Sequence, residues 1–480
     1  MSVDHYSSAV AMKRALTERQ VSAVELANMH IDRISALDDT LNAIPVKTFD
    51  RTLEMARAAD KRLSRGEDTP LLGLPMTLKE STLVAGLPQT AGIPEFRDYL
   101  PAQDGPLASK LFASGISLLG KTNIPYALGD WQSDSPVYGR TCNPWNTDCT
   151  PGGSTGGGAA ALAAGFTPLE LGSDIGGSIR VPAAYCGLYG HRPSETAIPK
   201  TGAFPMADLP NASFLMGVQG PLARTAGDMI LLFEQLAGPE PGEDTAWQLH
   251  LPAPRHTALK DFRVAVIPSV LDATASNAVN SALQDLTDLL IKEGASVTRA
   301  APAFDMQMYV DDYIRMLYVM ISLGMSPEER KAQIAGLRAL GHPAGLLNAE
   351  ALEMSALDYM SLTIRRAAAQ AAWREFYRDY DIVLAPITRS SAFPHTTGNM
   401  YERKLLIDNT EVDYFSNIYF PLLAIFTGLP STTFPAGLDD RQMPIGLQAI
   451  GPYLEDRTTL EFARLLEPVW HKFQAPPDYR

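Results

Sequence analysis

The sequence predicts an α/β protein with a partly parallel sheet and a helical insertion. Residues 263–267 are typical of a buried strand, 273–293 of a helix and 295–298 of a second strand, which together form a β-α-β unit. Beyond Pro70 the chain has short apolar runs separated by glycine and proline, and one of them, 115–120, predicts a strand. The hydrophobic content of 46% and the charged content of 20% are ordinary for a globular protein with a large core.

The helical regions follow in chain order. Residues 7–65 are predicted to be helical, and Ser22 with Glu25 three positions later forms a capping-box pattern. The alanine-rich stretch from Ala159 to Ala164 predicts a helix directly after a glycine-rich loop. Residues 305–380 are predicted to be mostly helical, and 381–385 to form another buried strand. No internal repeat or low-complexity linker divides the chain.

Composition excludes several classes of function. The formal net charge of −14 argues against nucleic acid as a partner, because phosphate binding needs a basic surface. No apolar run approaches the ~18 residues of a membrane span, and the first residues lack the pattern of a signal peptide. Three cysteines cannot form a disulfide framework, and we expect each to be a small apolar residue: Cys142, Cys149 and Cys186. These features predict a cytoplasmic protein without a membrane partner.

Two glycine-rich serine loops and an upstream lysine are the features that indicate chemistry. The first serine loop, residues 151–158, contains Ser154, and the second, residues 172–180, contains Ser178. A hydroxyl becomes a good nucleophile only when a base removes its proton, and the apolar surroundings of Lys79 favour an uncharged amine. Consecutive amides in a glycine-rich turn can stabilise the negative oxygen that forms during acyl transfer.

These loops carry a resemblance to a known family. The motifs at 152–160 and 174–187, together with 120–123, 138–145 and 446–451, are similar to those of the amidase signature family. That family hydrolyses carbon–nitrogen bonds with a Ser-(cis-Ser)-Lys triad, and it includes free-standing bacterial amidases and urethanases. The resemblance implies a single α/β domain over 1–480, with a central twisted mixed β-sheet of about ten or more strands flanked by helices. Within it, 1–65 are N-terminal helices, 70–245 the catalytic core and 300–380 a helical segment on the substrate side.

The resemblance also implies roles for individual residues. Ser178 matches the nucleophile, Ser154 the bridging serine whose peptide bond is cis, and Lys79 the base. The oxyanion is expected to be bound by the amides of Ile175, Gly176, Gly177 and Ser178. Asp174 and Arg180 flank Ser178 and are expected to fix its loop by hydrogen bonding, with a surface ion pair as the alternative. Thr155 replaces the usual second serine of the family, keeps a hydroxyl, and is expected to support the site in the same way. Gly158 departs from the family, since a serine or another larger residue is common there. The mechanism needs no cofactor and no metal ion.

Two other interpretations are weaker. Residues 152–156 also satisfy the Gly-x-Ser-x-Gly elbow, with Ser154 as nucleophile and His342 or His395 as base, but the polar residues before them do not form a buried strand. His191, closest to the second serine loop, is expected to be structural. A different class of function is the glutamine-hydrolysing component of a tRNA-dependent amidotransferase, which would copurify with partner proteins.

The substrate is predicted only in outline. Segments that are candidates to line the pocket are aromatic and apolar, and they suggest a hydrophobic, aryl-bearing small molecule. They are Gly129-Asp130-Trp131, Tyr309 to Tyr318, Tyr414-Phe415 and Tyr419-Phe420. Ordinary core packing is the alternative explanation for these aromatic residues. We expect an amide or a carbamate (urethane) substrate, with aryl esters as a further class, and a monomer or homodimer as the working form.

Overall fold

The computed structural model describes residues 3–204 and 215–480. Met1, Ser2 and residues 205–214 lie outside these ranges, and with them small parts of the segments predicted at 1–65 and 70–245.

The described residues contain seventeen strands, and eleven of them form one mixed sheet. The strands are β1 (Val46–Lys47), β2 (Pro75–Lys79), β3 (Ser117–Thr122), β4 (Asp134–Ser135), β5 (Gly139–Arg140), β6 (Leu169–Asp174), β7 (Tyr189–Arg192), β8 (Val218–Ala223), β9 (Arg263–Val266), β10 (Ser269–Val270), β11 (Ala273–Thr274), β12 (Ser296–Arg299), β13 (Ile382–Pro386), β14 (Lys404–Ile407), β15 (Thr410–Asp413), β16 (Ser431–Leu438) and β17 (Pro444–Ile450). Their order in the large sheet is β1-β3-β2-β6-β8-β7-β16-β17-β13-β9-β12.

Parallel pairing occurs in two places in this sheet. Strand β2 runs parallel to both β3 and β6, and β9 runs parallel to both β12 and β13. The other pairs of the sheet are antiparallel, as between β6 and β8. The α/β class, the mixed sheet and the β-α-β unit of 263–298 are therefore confirmed.

Helices cover the sheet and build the insertion. They are α1 (Ala9–Thr17), α2 (Ala23–Leu41), α3 (Phe49–Ser64), α4 (Pro106–Ser114), α5 (Gly156–Ala163), α6 (Arg180–Cys186), α7 (Ala226–Leu236), α8 (Asn277–Lys292), α9 (Met306–Ile321), α10 (Pro327–Leu340), α11 (Pro343–Glu353), α12 (Ala356–Phe376), α13 (Leu422–Ile425) and α14 (Asp456–Leu466). Short 3-10 helices include Tyr126–Leu128 and Tyr414–Ile418. No helix in 3–204 or 215–480 is both long enough and apolar enough to cross a membrane.

Most local predictions hold, and the differences have simple causes. The Ser22–Glu25 capping box is present at the start of α2. Helix α8 begins at Asn277 and not at Ala273, because Ser276 caps it by accepting from the Val279 amide. The hairpin of β10 and β11 fills the gap between β9 and α8, and β1 interrupts the predicted helical region. Each of these unpredicted strands has only two residues, too few to show alternating polarity.

The site elements lie on two adjacent strands, the third and fourth of the eleven. Lys79 ends β2, the second serine loop begins within β6, α5 begins within the first serine loop, and α6 begins at the last residue of the second. Every residue of α5 and α6 is buried. Because β2 and β6 are parallel neighbours, their carboxyl ends meet at one edge of the sheet, where ligands bind in open α/β sheets.

Candidate active site

Lys79 is the last residue of β2, and only 1% of its surface is exposed. Its Nζ lies 2.7 Å from Oγ of Ser154 and 2.9 Å from Oγ of Ser173. Ser154 is 75 positions away in the chain, and it reaches the lysine because α5 packs against β2 and β6. The structure thus brings together the predicted base and the predicted bridging serine.

Burial changes the acid–base properties of this lysine. It lowers the pKa of Lys79 from the ordinary value of 10.5 to about 7, although the carboxyl groups of Asp174, Glu170 and Glu80 oppose the shift. An amine with this pKa is uncharged in a large fraction of molecules at neutral pH. Lys79 can therefore accept a proton under ordinary conditions.

Ser154 lies in a turn that is held at both ends. The Gly153–Ser154 peptide bond is cis. The hydroxyl of Ser133 accepts from the Gly156 amide at 3.1 Å and donates to the Gly152 carbonyl at 3.1 Å. These bonds fix the start of α5 relative to the first serine loop and hence the position of the Ser154 hydroxyl.

Ser178 lies in the turn between β6 and α6. It is 7% exposed, compared with 2% for Ser154 and 1% for Lys79. The Thr155 amide donates to the Ser178 carbonyl at 3.2 Å, so the two serine loops are joined through their backbones. Exposure therefore decreases in the order Ser178, Ser154, Lys79, as a substrate-facing nucleophile and a buried base require.

The carboxylate of Asp174 fixes the second serine loop. Its Oδ1 accepts the Gly177 amide at 3.0 Å, and its Oδ2 accepts the Ile179 amide at 3.2 Å. Arg180 donates to both oxygens, at 3.0 and 3.2 Å. Burial acts to raise the pKa of Asp174, but the neighbouring guanidinium groups and these hydrogen bonds hold it below its ordinary value. Asp174 and Arg180 thus form a fully buried ion pair that positions the loop.

The backbone of this loop is oriented by two aromatic side chains. The Tyr313 hydroxyl donates to the Ile175 carbonyl and Nε1 of Trp131 donates to the Gly176 carbonyl, each at 2.9 Å. In a trans peptide the carbonyl and the following N–H point in opposite directions. Tyr313 therefore sets the direction of the Gly176 amide, and Trp131 sets that of the Gly177 amide.

One of the four amides expected to bind the oxyanion is already paired. The Gly177 amide donates to Asp174, so it does not point freely into the site. Gly177 has a φ of +95°, and a Cβ at this position would lie 2.9 Å from Val181 and 3.0 Å from Pro421. Glycine is required here by both the backbone angle and the close packing. The remaining candidate donors are the amides of Ile175, Gly176 and Ser178.

The predicted substrate-side residues 129–131 separate into different environments. Trp131 reaches the second serine loop and packs against Tyr414, with ring centroids 5.4 Å apart. Asp130 accepts a hydrogen bond from the Tyr414 hydroxyl at 2.5 Å and binds Nη1 of Arg403 at 2.6 Å. The Gly129 amide donates to the Tyr126 carbonyl. Trp131 thus contacts the site directly, whereas Asp130 ties this segment to residues 403–414.

The aromatic segments divide in the same way. Phe415 joins the cluster around Trp131, with ring centroids 6.2 Å apart. Tyr309 is fully buried, and its hydroxyl donates to the Leu423 carbonyl, while Tyr318 binds Gln333 near the surface. Phe420 packs in the core. Core packing therefore accounts for Tyr309 and Phe420. Tyr313 contacts the second serine loop, and Tyr414 and Phe415, which are also buried, contact Trp131.

Two residues that contact Lys79 or the second serine loop are not identified by the sequence. Ser173 is the second hydrogen-bond partner of Lys79, and Tyr313 orients the Gly176 amide. Ser173 lies within the second serine loop, but its contact with the lysine depends on the pairing of β2 with β6. Tyr313 falls inside the aromatic segment 309–318, whose composition does not distinguish it from its neighbours.

Neither of the alternative bases, His342 and His395, binds Ser154. Both ring nitrogens of His395 are buried and have no hydrogen-bond partner among the described residues. His342 binds Asp413 through Nε2 at 2.9 Å, and Ser154 binds Lys79 and not a histidine. His191 is fully buried between Thr432 and Asp456, at 2.9 and 3.2 Å. Glu80, next to the lysine in sequence, turns away from the serines. It accepts hydrogen bonds from the Thr90 amide, the Ala91 amide and the Tyr138 hydroxyl.

The cysteines and possible metal ligands can be located as well. Cys149 and Cys186 are buried, Cys142 is half-buried, and none of the three forms a disulfide. Burial raises the pKa of each thiol, which disfavours a reactive thiolate. Across 3–204 and 215–480, no group of three or more His, Cys, Asp or Glu side chains is arranged to hold a metal ion.

Comparison with known proteins gives consistent matches along the chain. A family model described as Amidase matches residues 25–460. Indoleacetamide hydrolase of Bradyrhizobium diazoefficiens is 32% identical over 457 residues, which are 94% of this chain and 84% of that protein. A glutamyl-tRNA(Gln) amidotransferase subunit of Thioalkalivibrio sulfidiphilus is 32% identical over 505 residues, covering 98% of each. The solved structure of a bacterial aryl acylamidase of the amidase signature enzymes matches with a TM-score of 0.80 at 24% identity, over 97% of this chain and 96% of that one.

Proposed function

The chain belongs to the amidase family, whose enzymes hydrolyse amides, and we propose that it cleaves small amides and carbamates through an acyl-enzyme on Ser178. In this proposal Ser178 is the nucleophile, Ser154 transfers protons and Lys79 is the base. The observation that carries it is the 2.7 Å hydrogen bond between a fully buried Lys79 and Ser154. A buried lysine without an ion-pair partner is costly unless it is uncharged, and an uncharged lysine is a base.

Acylation begins with attack of the Ser178 hydroxyl on the substrate carbonyl carbon. The Ser178 proton passes to Oγ of Ser154 as the Ser154 proton passes to Nζ of Lys79. The tetrahedral oxygen becomes negative and accepts hydrogen bonds from the amides of the second serine loop. Gly176 is the best supported donor, because the Tyr313 hydroxyl holds its peptide plane in place.

The protons then return along the same path. The Lys79 ammonium gives a proton back through Ser154 to the leaving nitrogen, and the carbon–nitrogen bond breaks. Water attacks the acyl-enzyme with the same groups acting again as the base, and Ser178 is regenerated. Ser173 supports each state of Lys79, since its hydroxyl can accept from the ammonium or from the neutral amine.

The surroundings of Ser178 favour an aryl-bearing substrate. Trp131 contacts the second serine loop and packs against Phe415, and these two side chains are 6% and 7% exposed, whereas their neighbour Tyr414 is fully buried. An aryl ring stacks favourably on the exposed part of such aromatic side chains. Carbamates and aryl esters form a tetrahedral intermediate similar to that of amides, so we place them in the same substrate class.

The test is a substrate panel assayed with matched serine variants. The panel contains aryl amides, aliphatic amides, aryl carbamates and aryl esters, and the variants are Ser178→Ala and Ser117→Ala. Ser117 is also fully buried, and its hydroxyl has no hydrogen-bond partner among the described residues, so its variant controls for the loss of a buried hydroxyl.

We expect the wild type and Ser117→Ala to hydrolyse aryl amides or aryl carbamates, while Ser178→Ala is inactive. Intact-mass measurement with a slowly released carbamate should show one added acyl group on the wild type and none on Ser178→Ala. Turnover or acylation by Ser178→Ala would refute the assignment of the nucleophile.

A second candidate is the glutamine-hydrolysing component of an amidotransferase. It is favoured by the similarity to a glutamyl-tRNA(Gln) amidotransferase subunit over 98% of both chains. This function requires glutamine hydrolysis and assembly with partner proteins. Sizing of the purified chain and a glutaminase assay distinguish the two, because a chain that runs alone and hydrolyses aryl amides but not glutamine supports the first candidate.

A further inference from the structure

One face of the sheet below Lys79 carries a second ionisable side chain. Side chains alternate between the two faces of a strand, so Thr77 and Lys79 share a face of β2. Glu170 of β6 is paired with Thr77, and Thr122 of β3 is paired with Lys79, which places all four on the same face. A carboxyl group therefore lies next to the proposed base, on the neighbouring strand and under α5.

The carboxyl group of Glu170 is fully buried, and only one of its two oxygens is hydrogen-bonded. The Thr122 hydroxyl donates to its Oε1 at 2.7 Å, and Oε2 has no hydrogen-bond partner among the described residues. Helix α5 packs closely over Glu170, because a Cβ at Gly158 in its first turn would lie 2.5 Å from Oε1. Glu170 has no ion pair within 4.0 Å in the described chain. A buried carboxylate with one hydrogen bond and no ion pair is costly to ionise.

The charged groups around this pair can be named element by element. On β2 they are Lys79 itself and the following Glu80, whose carboxylate is held by backbone amides. On β6 there is Asp174, neutralised by Arg180. On β3, Lys121 occupies the opposite face and donates to the Pro88 carbonyl. Neither α5 nor β8, which also cover Glu170, contains a titratable residue.

We propose that Glu170 acts through the base: it gains and loses its proton as a coupled partner of Lys79 and so sets the pH range in which the lysine is uncharged. The inference rests on the proposed role of Lys79. When Glu170 is ionised, its negative charge favours the ammonium form of Lys79, and when Glu170 is protonated, this attraction is absent. The two groups then release their protons in steps that belong to the pair and not to either residue.

The burial of both groups supports this coupling. Burial raises the pKa of Glu170 to about 7, against the effect of nearby hydroxyls and of Lys79. Burial also lowers the pKa of Lys79 to about 7. Two neighbouring groups that titrate over the same range cannot do so independently. The wild-type lysine should therefore titrate over a wider pH range than a single isolated amine.

The test is the pH profile of kcat/KM for Glu170→Gln, measured with a slowly hydrolysed aryl amide. Glutamine keeps the size of the side chain and cannot ionise. We expect the midpoint of the acidic limb to move to lower pH by about one unit and the limb to sharpen to that of a single proton. An unchanged midpoint and shape, or a shift to higher pH, would overturn the inference.

Two further variants make the result interpretable. Thr122→Val removes the hydroxyl that stabilises the Glu170 carboxylate, so it should move the midpoint of the acidic limb to lower pH by a smaller amount than Glu170→Gln does. This variant provides the test if Glu170→Gln does not fold. Asp38→Asn alters a buried carboxyl that accepts from the Ala43 amide, outside the contacts of Lys79, and it should leave the profile unchanged. A shift of equal size in Asp38→Asn would also overturn the inference.

Failure of the proposed function gives a different result. If Lys79 is not the base, Lys79→Met retains turnover or the wild type has no acidic limb. If only the coupling is wrong, the wild type shows an acidic limb, Lys79→Met is inactive, and Glu170→Gln matches the wild type.

Discussion

Replacing Lys79 with methionine should abolish turnover and yet stabilise the fold at neutral pH. Lys79 is buried, and burial lowers its pKa from 10.5 to about 7. The unfolded chain holds the proton with an ordinary lysine pKa, so between these two values it binds more protons than the folded chain does. Stability therefore increases with pH across this window, and at neutral pH the lysine costs free energy that methionine does not.

The magnitude follows from the size of the shift. Each pKa unit corresponds to about 1.4 kcal/mol, so the shift of Lys79 from 10.5 to about 7 costs about 5 kcal/mol of unfolding free energy well below pH 7. At pH 7 the cost is about 4 kcal/mol, because about half of the folded molecules have already lost the proton. The cost decreases by about 1.4 kcal/mol per pH unit and vanishes near pH 10.5. Methionine also leaves the hydroxyls of Ser154 and Ser173 without their shared partner, which costs about 2 kcal/mol at every pH. The net expectation is a Lys79→Met variant more stable than the wild type by about 2 kcal/mol at pH 7.

Urea denaturation of both proteins at several pH values between 7 and 10 measures this difference. Taking the difference between the two proteins cancels the titration of groups that do not interact with Lys79. The expected result is an advantage of Lys79→Met that shrinks steadily as pH rises and then reverses. A variant that is less stable at pH 7, or a difference that does not change with pH, would show that Lys79 is charged in the folded protein.

Three other predictions concern the same site. The kcat/KM of the wild type should rise with pH below 7 and level off above it, because Lys79 must lose its proton, and coupling to Glu170 should make the rise shallower than about tenfold per pH unit. A flat profile from pH 5 to 9 with acylation limiting the rate would contradict this. Tyr313→Phe should lower kcat/KM about fivefold, because the hydrogen bond to the Ile175 carbonyl that it removes is worth about 1 kcal/mol. The loss in thermal stability should be smaller than this, and unchanged kinetics would show that Tyr313 does not act on the site. Asp174→Asn should lower the unfolding free energy by about 3–5 kcal/mol, because it leaves the buried side chain of Arg180 without its charged partner. A loss below about 1 kcal/mol, measured by denaturation with guanidinium chloride, would refute that reasoning.

The sequence predicts the elements of this fold better than it predicts their mutual contacts. The capping box at Ser22, the β-α-β unit and the helical insertion depend on local patterns, and the structure contains all three. The two-residue strands are not predicted because a short strand shows no periodicity, and the start of α8 is misplaced because its serine cap lies inside the predicted helix. Local reasoning succeeds where the signal lies within a single element.

Prediction of the site residues is limited in the same way, because motifs identify single residues but not their contacts with other elements. Lys79, Ser154 and Ser178 follow from motifs, and the structure places the first two in hydrogen-bond contact. Ser173 and Tyr313 follow from no motif, because their contacts arise from the pairing of β2 with β6 and from the packing of α9 on the second serine loop.

The reason for a glycine at position 158 becomes clear only when Glu170 is located beside it. In the sequence it is only a small residue where a larger one is common. In the structure its missing side chain leaves room for Glu170, whose Oε1 would lie 2.5 Å from any Cβ at that position. The two residues fit each other across two elements, and such a fit is visible only when both are placed.

The hydrogen bond from Tyr313 has a consequence for enzyme engineering. Helix α9 belongs to the helical segment 306–376, which the resemblance predicts to lie on the substrate side, so a designer seeking a new specificity would exchange it. That segment also supplies the hydroxyl that orients a peptide plane next to Ser178. A chimera without a tyrosine at position 313 should accept its new compound and convert it slowly, so libraries built in this region should keep that residue constant.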